Sequence, residues 1–277
     1  MRKLLSANFS RLRKDKIFWC VLVAITALSL VNVFGSVQSC AAMAERGYVM
    51  TLEDYYFNQA PLMGAFFGLF ASLFLGTEYS DGALRNKLVV GHKREHIYLG
   101  NFIVCAVASL ILLTAWLVAG ALGFFLIGPM EMGVSGYIAY VAVSVGFTVS
   151  FASLFTLIGS LSSNKAMTIV YTAVVFLALV LASSSLYDRL CEPEFNEGMT
   201  YINGAFVMQE PTPNPLYLSG TVRFICQCIL ELIPNGQALL MNDVAIENPA
   251  RAILFSAVFT ATTLMIGCTL FRRKDIK

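Results

Sequence analysis

The apolar positions of this chain fall into long uncharged runs separated by short charged stretches. Ile17 to about Val37 is the first run, with Trp19 near its start. Leu62 to about Gly76 is the second, a short apolar centre that extends back towards Tyr56 or on to Tyr79. The others are Ile97 to about Ala119, Tyr137 to about Gly159, Ala166 to about Tyr187 and Ala250 to Phe271. A run of about 20 apolar residues is long enough to cross the hydrocarbon core of a bilayer. The pattern therefore predicts six transmembrane helices, at about 17–37, 60–78, 97–119, 137–159, 166–187 and 250–271. Ahead of them, Leu4, Leu5, Phe9 and Leu12 recur at helical spacing, with Arg2, Arg11, Arg13 and Lys14 largely off that face. Residues 1–16 read as an amphipathic helix lying on the membrane surface. The alternative is a basic tail that merely orients the first span.

The longest stretch outside the spans is 188–249. Its first half is acidic and turn-rich. In its second half, Leu216 to Ile233 is apolar but broken by Arg223, Gln227 and Glu231, and Pro234-Asn235-Gly236 stops it. This reads as a helix at or dipping into the outer interface, then a short helix through Gln237 to Val244. A seventh span is the competing reading. Six are preferred because seven would place the basic N-terminus and the basic C-terminus on opposite sides. The expected fold is all-α and integral to the membrane. A surface helix (1–16) precedes a six-span domain (17–277) with a charged loop at 77–96 and short outer helices before the last span.

Composition agrees. Of 277 residues, 57% are hydrophobic and 13% charged, against about 25% charged in a soluble domain. Fifteen of the nineteen Lys and Arg fall in 1–16, 77–96, 160–165 and 272–277, all on one side of a six-span topology. Twelve of the seventeen acids fall on the other. Lys/Arg bias marks the cytoplasmic side, so the expectation is a multi-pass protein of the cell membrane with both termini in the cytoplasm. The N-terminus reads as no cleavable signal. The seven cysteines show no C-x-x-C pair, and with two histidines a transition-metal site is not expected. Cys40 and Cys191 both fall outside and are candidates for a disulfide.

No Asp, Glu, Lys, Arg or His lies well inside a predicted span. Ion relays and intramembrane hydrolysis use such groups, so proton-coupled transport and intramembrane proteolysis are disfavoured. The spans do carry hydroxyls. Thr148, Ser153, Thr172 and Thr260 are candidates for a weakly polar substrate path, although such groups also bond backbone and neighbouring helices. Gly64, Gly68, Ser72 and Gly76 put small residues on one stripe of the second span, where another helix can approach. No G-x-x-x-x-G-K-[ST] phosphate loop occurs. The chain is not expected to be an enzyme, and ATP-driven work needs a separate ATPase.

The docking candidate for such a partner is Gly76 to His96. Glu78 closes the second span, either anchoring the helix end by pairing with a nearby base such as Arg85 or standing as a solvated interfacial carboxylate. Asp81 is the expected N-cap of a helix Ala83–Val90, with Leu84, Leu88 and Val89 on an apolar face and Arg85 and Lys87 nearer water. The coupling candidates are therefore Glu78, Asp81, Leu84, Arg85, Lys87 and Leu88, the apolar face inserting into a cleft on the ATPase. Asp188, Glu192, Glu194 and Glu197 read as a solvated outer rim, or as a site for a cation or basic peptide.

These stretches resemble a known family. Gly76-x-Glu78, Gly82-x-Leu84-Arg85, Gly91 and Arg94 are similar to the pattern entering the coupling helix of permease subunits of ABC-2 type ATP-binding-cassette exporters. Leu232-Ile233-Pro234-Asn235-Gly236-Gln237 is similar to the stretch leading into that family's outer helices, and Phe271-Arg272-Arg273-Lys274-Asp275 to its basic ending. Ala83 stands where Thr is usual, and Asn101 lies near where Lys is common. The resemblance implies a dimer with a second permease copy or a homologous permease, and two cassette ATPase subunits docked below. It implies ATP and Mg on those subunits, no cofactor in this chain, and no nucleic-acid partner. It further implies export of an amphipathic substrate such as a peptide or antibiotic. The alternatives are the membrane subunit of an antimicrobial sensing or resistance module, and a non-transport assembly factor.

Overall fold

A computed structural model describes residues 1–48, 51–128, 130–196, 199–202, 205–208 and 210–274. Pro129, between the third and fourth predicted spans, Glu197 of the acidic rim and Asp275 of the basic ending lie outside the described residues. The chain opens with helix α1 (Arg2–Lys14), which buries Leu4, Asn8 and Leu12 against the bundle. Asp15 ends it and starts α2 (Lys16–Ala44), its carboxylate accepting the N–H groups of Ile17 and Phe18 at 2.8 and 3.0 Å. One short acidic residue thus turns a surface helix into a span. α2 runs past the expected end at Val37 because Ala41, Ala42 and Ala44 hold no helix breaker; Gly47, at φ +82°, is the first residue suited to a left-handed stop.

A single turn, α3 (Glu53–Tyr56), leads to α4 (Ala60–Ser80), and the short α5 (Ala83–Val89) follows. α6 (Arg94–Gly120) is prolonged by α7 (Gly123–Leu126). α8 (Gly133–Leu161) and α9 (Lys165–Cys191) follow with a tight link. Two antiparallel strand pairs come next: β1 (Phe195–Asn196) with β4 (Thr212–Pro213), and β2 (Met199–Ile202) with β3 (Ala205–Met208). Sequence reasoning read this stretch only as turn-rich. Its signal was Asn203-Gly204 between two runs carrying aromatic and β-branched residues. Helices α10 (Gly220–Leu232) and α11 (Pro234–Asn242) meet at 102°, so they form a bent pair and not a straight seventh span. α12 (Pro249–Arg273) closes the fold. The six helices α2, α4, α6, α8, α9 and α12 are each long and apolar enough to cross a membrane, in an all-α architecture.

α4 is the most enclosed span and packs against α8, α9, α2 and α6. The core around it is aromatic: Phe67, Phe70 and Phe74 of α4, Phe147, Phe151 and Phe155 of α8, and Trp116 of α6. Lipid competes equally for such groups, so close fit holds spans together. The glycine stripe provides that fit. A Cβ on Gly64 would sit 2.6 Å from the rings of Phe151 and Phe176, and one on Gly76 3.0 Å from the Lys165 backbone. The α10–α11 bend depends on another glycine. A Cβ on Gly236 would lie 2.0 Å from the Leu230 carbonyl oxygen. Gln237 then donates to the carbonyls of Glu231 and Ala252 at 2.6 and 2.9 Å and accepts Ser256 at 2.8 Å. The buried Glu231 carboxylate takes the Arg251 guanidinium on both oxygens, which fastens the bent pair to the start of α12. Cys40 and Cys191 are free, as are the other five cysteines, so the candidate bridge is not formed.

Candidate functional site

The basic end of the bundle holds a closed polar cluster built from four helices. At its centre, Glu78 lies in the last turn of α4 with its side chain 1% exposed. Oε1 accepts Arg11 Nη1 at 2.5 Å and Lys87 Nζ at 2.6 Å. Oε2 accepts Asn101 Nδ2 at 2.9 Å. Asn8 completes the ring, donating to Asn101 Oδ1 at 3.0 Å and accepting Lys87 Nζ at 2.9 Å. Arg11 also donates to the Phe74 carbonyl and to Thr77 Oγ1 (3.2 Å), and its guanidinium lies over the Phe74 ring at 3.9 Å. A buried carboxylate is tolerable only when its lone pairs are filled and its charge is opposed. Here α1, α5 and α6 each send a donor to it.

Around this cluster, Leu4, Leu84, Ile97, Tyr98 and Phe271 form a separate apolar knot joining α1, α5, α6 and α12. Lys274 Nζ donates to Tyr79 Oη, Ser160 O and Ser162 O at 3.0, 3.1 and 2.6 Å. Burial lowers its ammonium to about 8.

Several expectations about this segment change. Glu78 is not partnered by Arg85, which is exposed; its bases are Lys87 and the distant Arg11. Arg11 is not on the solvent side of α1 but reaches inward. Asp81 is not the N-cap of α5. It is exposed at the end of α4, and Gly82, at φ +66°, holds the cap position because the chain turns there through a left-handed conformation. Leu84 is buried and Leu88 half-buried in the protein's own knot, so this face of α5 is not offered to a partner. A seven-residue helix needs such an anchor, since an isolated helix of this length is not stable in water. What α5 exposes is Arg85, Asn86, Val89 and Val90, the two valines at 80% and 76%.

The four hydroxyls picked as a path do not converge. Thr148 and Ser153 are fully buried inside the bundle, Ser153 donating to the Ser150 carbonyl. Thr172 lines a groove between α4 and α9, and Thr260 another between α8 and α12, where it meets Ser150 at 3.2 Å. Asn8, Arg11 and Asn101 were missed. Asn8 was detectable, because it continues the Leu4–Leu12 face at a spacing of four.

The chain's relationships bear directly on this end of the molecule. The family model described as ABC-2 family transporter protein matches residues 4–183, which takes in α1, the Glu78 cluster and the helices to most of α9. The strand pairs, the bent pair α10–α11 and α12 lie beyond the match. No curated protein matches the chain. With well over half of its length matched, and with six helices able to span a membrane, the chain belongs to the ABC-2 family of transporter proteins as a multi-pass membrane permease.

Proposed function

We propose that this chain is the permease subunit of an ATP-driven exporter that moves an amphipathic substrate such as a peptide or antibiotic out of the cell. Membership of the family makes it a membrane transport component of a kind that works with ATPase subunits. The Lys/Arg bias supports a cytoplasmic position for the α1–α5 end. Two cassette subunits, carrying ATP and Mg, dock beneath a pair of permeases. The export direction and the substrate class rest on the resemblance of Gly76 to Arg94 to the coupling segment of ABC-2 exporters.

One observation carries the mechanism: Lys87, on the short helix α5, shares the Glu78 carboxylate with Arg11 of α1. Force on the exposed tip of α5 is delivered to α4 through that carboxylate and to α6 through Asn101. α4 in turn packs on α8 and α9. The docking surface is Arg85, Asn86, Val89 and Val90, while Glu78, Lys87, Leu84 and Leu88 hold α5 to the bundle. Co-purification tests the assignment. A Val89→Asp/Val90→Asp variant is expected to fold and reach the membrane but to lose its cassette ATPase. Retention of the ATPase at wild-type stoichiometry would overturn the docking surface.

A further inference from the structure

We propose that the basic end of the bundle also carries a cradle for the phosphate headgroup of an anionic phospholipid, between the start of α6 and the end of α12. A pocket of about 350 Å³ opens there, walled by Lys93, Arg94, Glu95 and Arg272. Among the described residues its walls hold three cations and one anion. Arg94 donates to the carbonyls of Arg272 (3.4 Å) and Lys274, which fixes the two sides of the pocket to each other. Glu95 lies 3.5 Å from Arg272 with both side chains well exposed. Such an exposed pair is weakly held and leaves Arg272 available to a stronger anion. α6 starts in this pocket, and among the described residues no side chain caps its start. The positive end of a 27-residue helix faces the same space.

The surface just below identifies the anion as a lipid. Leu99 of α6 and Cys268 of α12 lie half-buried one turn further along the same two helices. Met265, two turns from Arg272 on the same face of α12, is exposed. A free phosphate has no use for this apolar track, whereas a diacyl lipid covers it while its headgroup fills the pocket. Basic pockets between spans at headgroup depth take anionic lipids. This site is separate from the Glu78 cluster and does not depend on the transport reading.

The full chain, purified in neutral detergent and titrated with phosphatidylglycerol, phosphatidylcholine or inorganic phosphate, tests the proposal, with bound lipid counted by native mass spectrometry. Wild type is expected to retain phosphatidylglycerol, and Lys93→Gln/Arg272→Gln to hold it roughly tenfold or more weakly. Glu95→Gln is expected to bind it more tightly than wild type. Phosphatidylcholine is expected to distinguish none of the three, and inorganic phosphate not to displace the lipid. Equal phosphatidylglycerol retention by wild type and the double variant would overturn the site. So would an equal loss in Lys3→Gln/Arg13→Gln, which removes the same charge from exposed positions of α1. Displacement by inorganic phosphate would overturn the lipid in favour of a free anion. Unchanged lipid retention with loss of a co-purifying cassette subunit would overturn it in favour of a protein.

Discussion

The Arg11 guanidinium lies 2.5 Å from the Glu78 carboxylate, an ion pair that spans 67 residues of chain and ties the surface helix α1 to the end of a buried span. Removing one partner of a buried ion pair costs about 3 to 5 kcal/mol, because the charge left behind is uncompensated. Glu78→Gln leaves Arg11 and Lys87 without their counter-ion. The expected result is loss of stability in that range, with early hydrogen exchange in α1 and α5. Glu78→Leu combined with Arg11→Met and Lys87→Met is expected to recover much of it, since apolar replacement of a whole buried pair is often close to neutral. Thermal unfolding of the set in detergent measures both effects.

Two glycines separate steric from conformational need. Gly236 faces a backbone carbonyl that no side-chain movement can relieve. Gly236→Ala is therefore expected to cost about 1 to 3 kcal/mol or more and to loosen the α10–α11 bend. Gly82 has open space around its Cβ position but sits at φ +66°. Gly82→Ala is expected to cost about 1 kcal/mol, through backbone strain alone. A protease-resistance midpoint for each variant gives the ranking.

Lys274 makes stability depend on pH. Its ammonium is held at about 8 by burial, against 10.5 when unfolded. Below about 8 the group is charged in both states, and its burial is an unrelieved cost. Between about 8 and 10.5 the unfolded chain binds more protons than the folded one, so stability rises with pH across that window. Melting temperatures taken from pH 7 to 10 are expected to rise for wild type relative to Lys274→Met, in which this contribution is absent.

The features legible in the sequence were those written in neighbouring residues. Six spans stand out because apolar runs are long and uncharged, and α1 because Leu4, Leu5, Phe9 and Leu12 repeat with a helical period. The position of α5 was readable to within a residue of its end. Its orientation was not. An apolar face made of Leu84 and Leu88 suits a partner's cleft as well as it suits the protein's own knot, and only the placement of Leu4, Ile97 and Phe271 decides between them. The partner of Glu78 was hidden for the same reason. Arg85 was near in sequence, whereas Arg11 is brought close by the fold. The β2–β3 pair was signalled locally by Asn203-Gly204, a cue outweighed by the acidic composition around it.

In the proposed mechanism α5 meets an ATPase through its exposed tip while Glu78 anchors its base. Site-specific photocrosslinking in membranes that contain the cassette subunit tests it most directly. A photoreactive phenylalanine derivative at Val90, which is 76% exposed, is expected to give a product of permease plus cassette subunit. The same group at Val134, equally exposed at the start of α8, is expected to give none, and Glu78→Gln to weaken the coupling of ATP hydrolysis to transport without abolishing the Val90 product. No cassette product at Val90, or an equal one at Val134, would overturn docking at the tip of α5.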